Sequence, residues 1–256
     1  MILAIDIGNT NTKIGVLNDG GKIDKFFLLS SDVNRTFDES TALLLQMLTD
    51  AQVDKSEITG AIISSVVPKL DSMFTGVIYY ILGVQPIVVS HKLNTGLCID
   101  YNRPADLGSD RIAACAAAQQ TYGAPFILVD FGTATTFNIV ARGGRFVGGA
   151  ITLGLNSTVD ALTKCTARLS GVTLTAPRVA AALCTDEAIR SGVVLGAVGQ
   201  VKYMIERFKA ELDLSGAKTI ATGGLAHVVQ SVEPVFDYVD KDLALKGLYE
   251  IYKLNA

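Results

Sequence analysis

One short motif occurs twice in this chain, and the repeat limits the fold more than any bulk property does. ILAIDIGNTNT at residues 2–12 aligns with ILVDFGTATT at 127–136 at a constant offset of 124 residues. Asp6 falls on Asp130, Gly8 on Gly132, Asn9 on Thr133, Asn11 on Thr135 and Thr12 on Thr136. The flanks match as well. TKIGVL, the turn NDGGK and DKFFLLSS follow the first copy; TFNIVA, the turn RGGR and FVGGAIT follow the second. Asp-Gly and Gly-Gly between β-rich runs signal tight hairpins. Each half is therefore expected to begin strand, Asp-x-Gly turn, strand, hairpin, strand, and the shared context favours duplication over coincidence.

Behind each meander, strand and helix patterns alternate. DESTALLLQMLTD (38–50) has an acidic start and an apolar stripe, GAIISSVV (60–67) and QPIVVS (85–90) read as buried parallel strands, and MFTGVIYYILGV between them reads as a helix. In the second half, apolar positions at 194, 195, 198, 201, 204, 205 and 208 have helical spacing. KTIATGGLA (218–226) reads as a strand running into a glycine turn, and DLALKGLYEIYKL as a closing helix. The expectation is two similar α/β domains, 1–114 and 115–256, joined near 112–124, with the last helix packing back on the first domain.

At 256 residues either one large or two ordinary domains can bury a core. Hydrophobic residues are 49% and charged residues 18%, with mean hydropathy +0.38, which suits buried strands or a subunit interface. A net charge of -3 leaves no basic excess to neutralise phosphates, so a general nucleic-acid surface is not expected. Cys98, Cys115, Cys165 and Cys184 form no CxxC pair, and with only His91 and His227 they make no zinc set at ligand spacing. They are expected to be buried thiols in a reducing compartment. No signal-peptide pattern is present, and the longest apolar stretch, 76–84, is far below the ~18–20 residues of a membrane span. A cytoplasmic protein that does not enter the membrane is the expectation.

The repeated turn has its own chemistry. Glycine lets backbone N–H groups approach an anion, and Asn and Thr add donors. A carboxylate at the strand end repels phosphate unless a cation lies between them. Two such turns could hold a nucleotide's phosphates from two sides. No G-x-x-x-x-G-K-[ST] is present, and no G-x-G-x-x-G follows a strand.

Paired phosphate turns in duplicated domains resemble the superfamily of actin, Hsp70 chaperones and sugar kinases. The chain is most similar to its type III pantothenate kinases, through DIGNT at 6–10, DYNRP at 100–104, GSDR at 108–111, DFGTATT at 130–136, GGAI at 148–151, TDEAIRSGVVLG at 185–196 and TGG at 222–224. The resemblance covers nearly the whole chain. It implies two ribonuclease H-like (actin-like ATPase) domains, each a mixed sheet flanked by helices, with the nucleotide cleft between them. It also implies transfer of the ATP γ-phosphoryl group to the primary hydroxyl of pantothenate, the first step toward coenzyme A. By resemblance Asp110 is the general base. Asp6, Ile7, Gly8, Asn9, Thr10, Asn11, Thr12 and Lys13 form the first phosphate loop on the Mg-ATP side, with Asp6 as a candidate Mg²⁺ contact through ATP. Thr133 contacts ATP from the second loop, and Asp130 binds a monovalent cation, K⁺ or NH₄⁺. Tyr101, Gly108, Ser109, Asp110, Arg111 and Thr185 line the pantothenate pocket, which the family builds at a homodimer interface. From the local sequence, Ser109 is also a plausible cap of an Ala-rich helix.

Three positions depart from the family pattern: Leu153 and Ser170 where proline is common, and Asn138 where Asp is frequent. Proline loss loosens a loop rather than deleting a catalytic group. The rival readings are a kinase of the same fold acting on another small hydroxylated metabolite, and a non-enzymatic nucleotide-binding regulatory or accessory protein.

Overall fold

Each copy of the motif seeds a sheet. In the computed structural model, which describes residues 1–165 and 171–256, β1 (Ile2–Ile7) pairs antiparallel with β2 (Asn11–Leu17), and β2 with β3 (Ile23–Ser30). Helix α1 (Phe37–Asp50) then crosses to β4 (Gly60–Ser65), which lies parallel to β1, and α2 (Pro68–Leu82) crosses to β5 (Ile87–Val88). The order is β3-β2-β1-β4-β5. A short strand β6 (Cys98–Ile99) and helix α3 (Ser109–Tyr122) follow. The second copy repeats the plan. β7 (Phe126–Phe131), β8 (Ala134–Ala141) and β9 (Arg145–Leu153) form the meander. Helices α4 (Leu155–Cys165) and α5 (Thr185–Glu211) lead to β10 (Lys218–Thr222), and α6 (Ala226–Val232) to β11 (Tyr238–Val239), both parallel to β7. Helix α7 (Leu243–Asn255) closes the chain. Duplication is thus visible in topology as well as in the motif.

The chain divides into two units, Met1–Thr121 with Leu243–Ala256, and Tyr122–Asp242. The division falls at the end of α3, because a boundary at 114/115 would cut through a continuous helix. The last helix is part of the first unit.

Alternation along β1 and β4 sorts the first unit into two faces. Leu3, Ile5, Ile7, Ile14, Val16, Ala61 and Ile63 pack against Leu44 and Leu48 of α1 and Leu70, Phe74, Val77 and Ile78 of α2. Helix α1 starts cleanly: Thr36 accepts from the Glu39 N–H, and the Glu39 carboxylate accepts from the Thr36 N–H. The other face, which includes Ala4, Asp6, Gly15 and Ser64, lies under α7; a methyl at Gly15 would touch Leu245. Helix α7 in turn meets α3, whose residues Ile112 to Ala118 are all buried. A Cβ at Gly247 would overlap the Ala113 carbonyl oxygen, so only glycine permits this backbone approach. In the second unit one sheet face (Ile127, Val129, Phe131, Phe137, Ile139) packs on α4, α5 and α6 through Leu155, Val159, Val194, Val198, Val201 and Val229.

The cysteine expectation is corrected. Only Cys115, inside α3, is buried; Cys98, Cys165 and Cys184 are exposed, at a short strand, a helix end and the residue before α5. Among the described residues no helix is long and apolar enough to cross a membrane. Ser170 lies outside the described residues.

Candidate active site

The carboxyl ends of parallel strands are where α/β sheets expose backbone and side chains to ligands. Asp6 lies near that end of β1 yet is only 6% exposed. Its Oδ1 is buried without a hydrogen-bond partner, and Lys13 Nζ stands 3.7 Å from Oδ2. Burial pushes the Asp6 carboxyl above its ordinary range. The Lys13 ammonium opposes that shift, the Asp110 charge adds to it, and the polar Ser64 side chain beside the carboxyl opposes it. A buried carboxylate with an idle oxygen and only a distant ammonium is chemically fit to accept a cation.

Register explains why Lys13 is the partner. In the first sheet Asp6 pairs with Lys13 and Ile7 with Thr12; in the second Asp130 pairs with Thr136 and Phe131 with Thr135. The first loop is therefore one residue longer, and the ungapped match of Thr12 to Thr136 does not survive in the fold. Lys13, not Thr12, occupies the place equivalent to Thr136. Thr12 faces away from Asp6, is buried, and shares a hydrogen bond with Ser31 at 2.9 Å. Ile7 is likewise a core residue on the α1/α2 face. Of the expected first loop, Asn9, Thr10 and Asn11 are exposed, Gly8 is half-buried, and the Gly8 N–H closes the turn on the Asn11 carbonyl at 3.0 Å.

In GSDR, the Gly108 carbonyl accepts from the Ile112 N–H at 3.1 Å, and Ser109 is the first helical residue of α3 rather than its cap. The Ser109 hydroxyl does something else. It donates to the Ser65 carbonyl at 2.8 Å and accepts from the Ser65 N–H at 2.9 Å, fastening α3 to the end of β4. Asp110 follows in the first turn, half-buried, its Oδ1 accepting from the Arg111 N–H at 2.8 Å. Arg111 is buried. The structure thus brings Asp6, Lys13 and Asp110 into one electrostatic neighbourhood within the first unit. It adds Ser64, which the sequence reading passed over. The signal was a polar pair ending an apolar strand, the same pattern that drew attention to Asp6. Tyr101 is half-buried in the loop before α3.

The second unit has its own carboxylate. Asp130 is half-buried on β7, and a Cβ at Gly223 (φ +91) would overlap its Oδ1, so TGG presses a bare backbone onto it. Thr133 is exposed in the loop, and its carbonyl accepts from the Gly154 N–H at 3.0 Å and the Ser157 hydroxyl at 2.8 Å. The Asn138 amide donates to Thr136 Oγ1 at 3.1 Å and to the Leu128 carbonyl at 3.4 Å, so its departure from Asp sits in a buried network. Leu153 ends β9, with its side chain exposed. Thr185 is the exposed first residue of α5, with no side-chain cap at Cys184 before it. Among the described residues no group of three or more His, Cys, Asp and Glu side chains is arranged to hold a metal ion.

Comparisons with known proteins bear on the family and the fold. A type III pantothenate kinase from Bifidobacterium animalis subsp. lactis (strain AD011) is 37% identical over 256 residues, covering all of both chains. Among solved structures, a Campylobacter jejuni protein named as a proposed Baf family transcriptional activator superposes with TM-score 0.61 at 21% identity, covering 98% of each chain. A proposed 2-dehydro-3-deoxygalactonokinase from Sinorhizobium meliloti gives TM-score 0.61 at 11% identity over 99% of this chain and 96% of its own. At these identities the structural neighbours speak for the fold alone, that of the actin-like ATPases and sugar kinases. The family model described as type III pantothenate kinase matches residues 2–207, and the chain belongs to that family.

Proposed function

We propose that this protein transfers the γ-phosphoryl group of ATP to the primary hydroxyl of pantothenate, giving 4′-phosphopantothenate. The observation that carries the reading is the pairing, within one unit, of a buried strand-end carboxylate suited to a cation, Asp6, with a half-buried helix-start carboxylate, Asp110. Phosphoryl transfer has a loose transition state, so it needs positioned groups and charge neutralisation more than covalent help. The exposed backbone and side chains of Gly8, Asn9, Thr10 and Asn11 bind the phosphates, with Lys13 as a tethered cation. Thr133 contributes from the second loop. Mg²⁺, held with the nucleotide near Asp6, would neutralise phosphate oxygens. Asp110 orients the acceptor hydroxyl and takes its proton; Gly108, Arg111, Tyr101 and Thr185 bind the rest of pantothenate. Asp130, under Gly223, holds K⁺ or NH₄⁺.

The working unit in this reading is a homodimer that completes the acceptor pocket, and it acts in the cytoplasm. Its exposed thiols suit a reducing compartment. The test is ADP release by purified protein with Mg-ATP, with K⁺, NH₄⁺ or neither, against pantothenate and a panel of sugars. Turnover that depends on pantothenate and on the monovalent ion is expected. Turnover with a sugar instead, or none with any acceptor, overturns the reading. Light scattering checks the dimer.

A further inference from the structure

We propose that Ser64 is a positioning residue for phosphoryl transfer, its single hydroxyl fastening the first residue of the helix that carries Asp110 to the strand position beside Asp6. Ser64 is fully buried and is the register partner of Asp6 on the adjoining parallel strand, so both side chains occupy the same sheet face. Its hydroxyl donates to Ser109 Oγ at 3.1 Å, and its side chain lies beside the Asp6 carboxylate across the strand pair.

A hydroxyl has one proton and two acceptor sites. Ser109 has already given its proton to the Ser65 carbonyl and filled one acceptor site with the Ser65 N–H. Toward Ser64 it can only accept. The proton of Ser64 is therefore directed at Ser109, and the buried Ser64 side chain stands between that residue and Asp6. Through this contact the start of α3 is anchored to the strand next to Asp6. Asp110 follows Ser109 directly, so a shift of Ser109 moves the base.

The proposal rests on the kinase reading, and the experiment separates the two. Four variants are made: Ser64→Ala, the shape-matched pair Ser64→Thr and Ser64→Val, and Ser65→Ala. Ser65 is the neighbouring serine; its hydroxyl serves only the local Val67 backbone. Activity is read as kcat and KM for each substrate. Binding is read separately, as the affinity for Mn²⁺ with a non-hydrolysable ATP analogue, followed by electron paramagnetic resonance.

Ser64→Ala is expected to lose about tenfold to a hundredfold in kcat and about tenfold in Mn²⁺–nucleotide affinity, as for other supporting groups around a metal. KM for pantothenate should change less than about twofold, because the substrate does not touch Ser64. Ser64→Thr should recover most of what Ser64→Val loses. If Ser64→Ala does not fold, the Thr/Val pair decides, since both carry the same added bulk and differ in the hydroxyl. Equal behaviour of Thr and Val overturns the proposal, and so does Ser65→Ala matching Ser64→Ala. If the wild type binds Mn²⁺–nucleotide but phosphorylates no pantothenate, the kinase reading falls. The binding comparison alone then decides the role of Ser64.

Discussion

A carboxylate kept out of water beside a second carboxylate works against folding, and Asp6 is in that position. Its pKa is raised first by burial and then by Asp110, despite Lys13 and Ser64. A group whose folded pKa lies above its unfolded value favours the folded state when protonated. That contribution is present below the unfolded pKa and is lost as pH rises through the folded one. Asp6→Asn should therefore melt higher than the wild type at neutral pH without nucleotide. The gap should shrink on acidification, once wild-type Asp6 is itself protonated. Melting curves across pH check this, and a variant less stable than wild type at neutral pH refutes it. Activity should disappear in the same variant, as expected where stability has been given up for function. Asp110→Asn should fold normally and lose about 10²- to 10⁴-fold in kcat, the usual range for a general base. Near-wild-type turnover would remove Asp110 from the mechanism.

At the level of strands and helices, small residues decide how closely the pieces approach. Gly247→Ala should cost about 3 kcal/mol or more in urea unfolding, because the new methyl meets backbone that cannot rotate away. Thr36→Ala, which removes only the α1 cap, should cost about 1 kcal/mol. A Gly247 variant no worse than the cap variant would mean that α7 shifts freely on α3.

The same scale shows what could be read in advance. Strands and helices with strong periodicity were legible, from β1 to the closing helix, because apolar spacing reports burial directly. The extra residue in the first loop was not, since aligning two motifs letter by letter cannot reveal which residues pair across a hairpin. Thr12 therefore looked like a phosphate ligand and proved to be a partner of Ser31. Ser109 looked like a cap because its sequence context is local, whereas its partners lie on β4, more than 40 residues away. Asp6, Lys13 and Asp110, singled out from the motif and the resemblance, lie in one electrostatic neighbourhood. Ser64 needed the parallel register of β1 and β4, which no local pattern states.

For the molecule as a whole, the first unit is discontinuous in sequence: residues 1–121 need 243–256 to cover the sheet face that holds Asp6. Tyr249 bonds the Asp19 carbonyl, Asn255 bonds both the Asn94 N–H and its carbonyl, and Gly60 lies against Tyr252. A chain cut after Asp242 should lose the first unit's cooperative melting and expose apolar surface, while residues 122–242 keep the core described for them. Calorimetry and hydrogen exchange on the truncated chain check this; protection of β1 and β4 equal to that in the full chain would contradict it.

The placement of α7 also orders events during synthesis. Domains emerging from the ribosome tend to fold as units, the earliest first, while the chain grows at about 5–20 residues per second. Here that order is inverted. The second unit is complete in sequence before the first, whose sheet waits with one face bare until the last helix is released. A chain that stops at Asp242 thus carries all the motif residues without the helix that covers the Asp6 face. Until α7 is added, that bare face marks the unfinished first unit.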